Sequence, residues 1–146
     1  SNMAGMWLIG EDMPRETNRI TLDAKAKDKL GLPVASVHFD DHPNDIAMRA
    51  HAVQQGSAVY SAVGATRLIP TPPYPSTHNM GTNRMSANAR DGVVNKFGQT
   101  HDIKNLFVSD GSQFTSGAAC NPTLTIVALA IRQAESIARM MEQREV

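Results

Sequence analysis

A single cysteine, Cys120, stands in the whole chain, so no intrachain disulfide can form and no zinc site built on paired cysteines is available. Aromatic residues are scarce at 5%, and no basic stretch is interleaved with them. Net charge is missing too. The 14 Lys and Arg balance 14 Asp and Glu, which removes the electrostatic footprint of a nucleic-acid binder. No apolar run approaches the roughly 20 residues of a membrane span. The longest apolar-rich stretch, 124–131, is broken by Thr125 and runs on into a polar-faced helix. There is no Gly-x-Gly-x-x-Gly, hence no dinucleotide-binding loop within the chain. There is no Gly-x-Ser-x-Gly of the serine hydrolases and no His-Glu-x-x-His of the zinc proteases. The one Asn-x-Thr match, at Asn121, is disqualified as a glycosylation site by Pro122. No secretory leader is visible. Ser1 and Asn2 read as an expression scar, so the compartment stays unassigned between cytoplasm and periplasm.

What is present is the make-up of a soluble globular chain: 146 residues, 41% hydrophobic and 19% charged. That length suits one compact domain with a modest core. Residues 6–39 read as mostly extended. The run 18–23 (NRITLD) alternates apolar and polar, the period of a half-buried strand. Residues 34–39 form a second candidate strand after the turn signal at 31–33. The lysine-rich piece between them, 24–30, reads as a loop or a single helical turn. A helix is expected over 43–63, capped by Asp41 or His42, with Pro43 at its first position. Ile46, Ala50, Val53 and Ala58 fall near one face, Gly56 weakens its middle, and Gly64 is a natural stop.

Residues 66–70 read as a short strand, and Pro70, Pro72, Pro73 and Pro75 then make a stiff connection. Residues 76–98 lack periodic apolar positions, and a loop of that length in a compact domain is functional or disordered. Residues 105–110 (NLFVSD) read as a buried strand, and 111–120 as a loop of small polar residues. A closing helix starts at Asn121 and Pro122. Its apolar face carries Leu124, Val127, Ala128, Ile131, Ala134 and Ala138. Strands, helix, strand, long loops, strand and helix in that order predict an α+β fold.

Candidate chemistry centres on histidine and on the loops. His38 alternates with Val37 and Phe39 and is expected to face solvent or a polar seam. His42 sits at a helix start, His51 on a helix surface, and His101 beside Asp102 in a turn; structural roles account for all four. His78 differs, because Asn79, Gly81, Thr82, Asn83 and Arg84 crowd a non-periodic loop around it. Such a loop can set a side chain against a ligand while small residues let the backbone approach. An ordinary loop histidine explains His78 equally well. Asn121 and Pro122 form a favoured helix start. The same helix end offers unpaired N–H groups and partial positive charge to a ligand. Capping and ligand contact compete for the Asn121 side chain. Asp110 with Gly111 is either a turn pair or a strand-end acceptor for sugar or ribityl hydroxyls. Asp40, Asp41 and His42 admit a metal-dependent hydrolase, although consecutive residues rarely converge on one ion. Cys120 is expected to be a small packing residue.

The order of these motifs resembles the C-terminal part of the glucose–methanol–choline (GMC) oxidoreductases. It runs HNMGT at 78–82, Arg84 and Met85, Val93 and Val94, NLFVSD at 105–110, then NPTLT at 121–125 and the closing helix. EDMP at 11–14, NRITLD at 18–23 and KDKLGLP at 27–33 fit more loosely, like strands of the family's substrate domain. Within the family the pattern looks closest to sugar and gluconate-type dehydrogenases. The resemblance implies His78 as the general base on a substrate hydroxyl and Asn121 as the residue that hydrogen-bonds the substrate oxygen. It implies FAD as cofactor, with Asp110 and Gly111 near its ribityl–pyrophosphate portion and Pro122 and Thr123 at its pyrimidine edge.

Chemistry is consistent with these roles: histidine's unperturbed pKa of about 6.5 leaves much of it neutral and able to accept a proton, and only the flavin can take a hydride. The helix end at Thr123 would stabilise negative charge on the flavin by roughly 0.3–2 kcal/mol. On the same basis residues 3–104 belong to the substrate domain with its active-site loop, and 105–146 complete the flavin domain. The N-terminal FAD-binding region is absent, so the isolated chain is expected to be inactive and to hold flavin weakly or not at all. An alcohol or sugar-like molecule is the expected substrate. The apolar closing helix, left uncovered, would favour a homodimer of the fragment. A stand-alone, non-catalytic binding module with the same fold is the alternative.

Overall fold

The computed structural model describes residues 3–74 and 77–146. Ser1 and Asn2, and Pro75 and Ser76 between the proline-rich connection and the His78 loop, lie outside the described residues. The architecture is α+β: a two-stranded antiparallel sheet and two long helices, joined by irregular segments.

Strands β1 (Arg19–Lys27) and β2 (Pro33–His38) pair with Arg19 opposite His38, Ile20 opposite Val37 and Leu22 opposite Ala35. β1 therefore runs on through Lys27, where the sequence suggested a loop or helical turn. Asp23 supplies the reason that the register slips there. Its Oδ1 accepts from the amides of Lys25 and Ala26, both at 2.8 Å, and draws them away from the ladder. The hairpin turn is built by Asp28, whose Oδ1 accepts from the amides of Leu30 and Leu32, and by Gly31 at φ +83.

Helix α1 (Pro43–Ala62) begins with a reciprocal capping box. His42 Nδ1 accepts from the Asn44 amide at 3.1 Å, and Asp45 Oδ2 accepts from the His42 amide at 3.0 Å. The chain leaves the helix through Gly64 at φ +85. The apolar positions of α1 are not its buried ones: Ile46, Val53 and Val59 are exposed, whereas Asp45 and Gly56 are buried. An N-terminal arm, residues 3–15, explains this. Leu8 lies against Gly56, with both Cδ atoms 3.2 Å from where a β-carbon would stand. Gly10 leaves room for the Met48 thioether in the same way. The Met13 amide donates to Asp45 Oδ1 at 3.0 Å, and Arg15 Nη1 to the Asp41 carbonyl at 2.7 Å. Gly56, a weak helix former, is thus a packing position.

Residues 66–70 form no strand, and none of the described residues pairs with them. The expected strand at 105–110 is also absent. Only Phe107 pairs, in an isolated bridge with Gln99, and Leu106 is exposed. A tight turn replaces the strand. Thr100 Oγ1 donates to the Ile103 carbonyl at 2.6 Å, and the Thr100 amide to the Leu106 carbonyl at 2.9 Å. This folds 85–108 around Val94, the one fully buried hydrophobic side chain among the described residues.

Helix α2 (Thr123–Glu142) presents its face opposite to expectation. Gln133 and Ser136 are buried, while Leu124, Val127 and Ile131 are 85%, 50% and 58% exposed. Gln133 accounts for the orientation: its Nε2 donates to the carbonyls of Phe97 at 3.0 Å and Val108 at 2.8 Å. Arg132, which donates to the Lys96 carbonyl, lies over the Phe97 ring at 5.4 Å.

Candidate active site

The loop that bears His78 is fastened to the segment that bears Asp110. The Gly81 amide donates to the Gly111 carbonyl at 3.4 Å, the Asn83 amide to Ser112 at 2.9 Å and the Met85 amide to Gln113 at 2.8 Å. Asn83 Nδ2 adds a bond to Ser112 Oγ at 3.1 Å. The rungs advance in the same direction on both segments, so one segment sets the height of the other.

Gly111 is buried at the junction with α2. A β-carbon there would lie 3.2 Å from Ile126 Cδ1 and 3.4 Å from Met80 Cγ. Met80 Cε also closes on Gly117, 3.1 Å from the position of its absent β-carbon. Side chains two residues after His78 and four residues after Pro122 therefore meet over one glycine. His78 itself is exposed.

Asp110 caps the short 3-10 turn Gly111–Gln113, accepting from the Ser112 amide at 2.7 Å. The Ser112 hydroxyl and then this amide hold its carboxyl below the usual aspartate range. The turn reading of Asp110 is thus realised. The carboxylate stays exposed, and its four lone-pair sites are not used up by the turn.

Asn121 does not cap α2. Pro122, at φ −86 and ψ −11, takes the cap position with no side-chain bond, and its carbonyl accepts from the Ile126 amide at 2.9 Å. Asn121 and Thr123 are exposed. The competition over the Asn121 side chain resolves away from capping, and α2 starts without a side-chain cap bond from its N-cap residue. Cys120 is exposed, not packed as the sequence suggested.

Glu11, quoted in the sequence only as the start of EDMP at 11–14, makes a contact that the motif did not foretell. Its Oε1 accepts from the Ala118 amide at 3.0 Å, and its carboxyl is held below the usual range, first by the Ser116 hydroxyl and then by that amide. Ala118 adopts φ 51, and among the described residues only Arg144, near the end of the chain, is another non-glycine with positive φ. A contact across 107 positions leaves no local pattern by which to find it.

The other histidines take structural roles. His38 Nε2 meets Asp40 Oδ2 at 3.1 Å, His42 caps α1, and His51 is exposed. His101 bonds Ser86 Oγ at 3.2 Å rather than Asp102. Asp41 pairs with Arg49, its Oδ1 accepting from Nη1 at 2.9 Å, and this pairing depresses its pKa. Asp40, Asp41 and His42 thus serve three different partners. Among the described residues no group of three or more His, Cys, Asp or Glu is placed to hold a metal. No helix among them is long and apolar enough to cross a membrane.

Comparison with known proteins gives the family. The family model described as GMC oxidoreductase, in its C-terminal form, matches residues 14–130. The chain belongs to the GMC oxidoreductase family. It is 47% identical over 137 residues to 2-methyl-1,2-propanediol dehydrogenase of Mycolicibacterium austroafricanum, covering 92% of this chain and 25% of that protein. It is 34% identical over 134 residues to the fructose dehydrogenase large subunit of Gluconobacter japonicus, covering 91% and 25%. It is 28% identical over 138 residues to the gluconate 2-dehydrogenase flavoprotein of Pantoea cypripedii, covering 88% and 22%. The chain spans about a quarter of the length of these relatives. The expected kinship with sugar and gluconate dehydrogenases is present, beside a diol dehydrogenase of higher identity.

Proposed function

We propose that this chain is the C-terminal catalytic segment of an FAD-dependent oxidoreductase that oxidises a CH–OH group. One observation carries the reading. The ladder from 81–85 to 111–113, closed by Met80 and Ile126 over Gly111, gathers the His78 loop, Asp110 and the uncapped start of α2. These are the positions the family resemblance assigns to substrate and cofactor.

The donor set fits FAD. Exposed N–H groups at the start of α2 suit an electron-rich ring edge, and an exposed Asp110 carboxylate suits hydroxyl groups. Pro122 and Thr123 would hold the pyrimidine edge, and Asp110 and Gly111 the ribityl–pyrophosphate portion. Bound FAD would supply a two-electron acceptor for oxidation of the alcohol carbon. An imidazole nitrogen of His78 accepts the proton of the substrate hydroxyl. Asn121, released from capping, donates its side-chain amide to the same oxygen and holds it in line. Small hydroxylated molecules, from diols to sugars, are the substrate class that the relatives suggest. Residues 3–104 then belong to the substrate domain and 105–146 to the flavin domain. The segment forms one wall of the pocket.

The test is His78→Ala in the flavoenzyme that carries this segment. Flavin reduction by substrate should slow by on the order of 10²–10⁴-fold. Reduction at near wild-type rate would remove His78 as the base. The isolated chain should purify without stoichiometric flavin, and one FAD per chain in its visible spectrum would refute the one-wall reading.

A further inference from the structure

We infer that Glu11 is a positioning residue for Asn121, an inference that rests on the function proposed above. Asn121 sits in an exposed loop end, yet hydrogen bonding to a reacting oxygen demands a fixed location. On its C-terminal side it is held by α2, which Gln133 anchors to the carbonyls of Phe97 and Val108. On its N-terminal side the chain passes through Ser116, Gly117 and Ala118. Ala118 holds a left-handed φ of 51, a conformation that costs energy for any residue with a β-carbon. Left alone, that segment would relax and carry Asn121 with it.

The Glu11 carboxylate opposes this relaxation. It accepts the Ala118 amide at 3.0 Å. Bonds to an ionised acceptor are the stronger kind. Glu11 is itself fixed from both sides: Gly10 is seated against Met48, and the Met13 amide is bound to Asp45 Oδ1. The chain of support runs from α1 through the arm to Glu11, then to Ala118, and three residues later to Asn121. Nothing in this path requires Glu11 to touch substrate or flavin.

The experiment compares Glu11→Ala, Glu11→Gln and Asn121→Ala in the flavoenzyme, reading the flavin-reduction rate constant and amide hydrogen exchange at Ala118. Glu11→Ala should speed exchange at Ala118 and slow reduction by on the order of ten- to a hundredfold, with flavin content unchanged. Glu11→Gln keeps an acceptor oxygen and should stay within about threefold of wild type in both readouts. Unchanged exchange at Ala118 in Glu11→Ala overturns the inference, as does faster exchange with an unchanged reduction rate. Equally slow reduction in both Glu11 variants, with Ala118 still protected in Glu11→Gln, overturns it as well. Normal reduction in Asn121→Ala overturns the functional reading of Asn121 and this inference together. Slowed reduction in Asn121→Ala but not in Glu11→Ala removes the positioning role alone.

Discussion

Gln133 occupies the space that a side chain on Gly98 would need. A β-carbon on Gly98 would overlap Gln133 Nε2 outright and would lie 2.6 Å from the Val108 carbonyl oxygen, and Gly98 sits at φ +71. The glycine thus lets a helix side chain reach the two carbonyls that orient α2. Gly98→Ala should lower stability by more than the ~1–3 kcal/mol typical of left-handed strain alone, because backbone as well as side chain must move. Gln133→Ala, which strands two carbonyls, should cost about 1–3 kcal/mol. Gly5→Ala is the control, with nothing within 4 Å of its β-carbon position. Urea midpoints decide: equal midpoints for Gly98→Ala and Gly5→Ala would show that the Gly98 contact does not constrain the fold.

His42 should matter for stability and not for the reaction. Its ring accepts the Asn44 amide and completes the capping box with Asp45. His42→Ala should destabilise by roughly 0.5–2 kcal/mol while flavin reduction in the flavoenzyme keeps its wild-type rate. His78→Ala should show the reverse pattern. A thermal melt beside a stopped-flow trace for each variant separates the two histidines.

Acid should loosen the arm and loops. Glu11, Asp23, Asp41 and Asp110 all have folded pKa values depressed below the ordinary 4.5 or 3.8 by hydrogen bonds to their charged forms. A depressed carboxylate contributes stability that is complete above its unfolded value and is lost as pH falls through the lower folded one. Asp12 opposes this trend, since burial and then the Asp45 carboxylate raise its pKa. With four groups against one, the unfolding midpoint should hold steady at neutral pH and drop below about pH 4.5. A midpoint that rises on acidification would contradict the assignment. Within that window the Ala118 amide should lose protection as Glu11 protonates.

The outward stripe of α2 should make the isolated chain associate. Leu124, Val127 and Ile131 lie on one helix face and are at least half exposed. Exposed apolar patches of this kind mark interfaces. Sedimentation should show a concentration-dependent dimer, and Leu124→Lys combined with Ile131→Lys should shift it to monomer. A wild-type chain that stays monomeric at all concentrations would count against an interface on this face.

The helices were legible because their signals are local. Pro43 after a capping residue, Gly64 at the stop, and Asn121 with Pro122 before an apolar period each act within a turn of the chain. The hairpin 18–38 was legible from alternation and a Gly-Pro turn, apart from residues 24–27, whose pairing depends on the partner strand. Residues 66–70 and 105–110 have strand-like composition, but among the described residues 66–70 have no bridge partner and 105–110 have only the Phe107–Gln99 bridge. The order of motifs likewise pointed to the family, because sequence order survives without coordinates.

Tertiary structure decided what sits against what. It turned the Gln133 face of α2 inward, where the side chain donates to the carbonyls of Phe97 and Val108. It freed Asn121 from capping and set Met80 and Ile126 over Gly111. It also brought Glu11 to Ala118 across 107 positions. Hydrophobic periodicity encodes which face is apolar, whereas orientation depends on the satisfaction of specific buried polar groups, and those partners are remote in sequence.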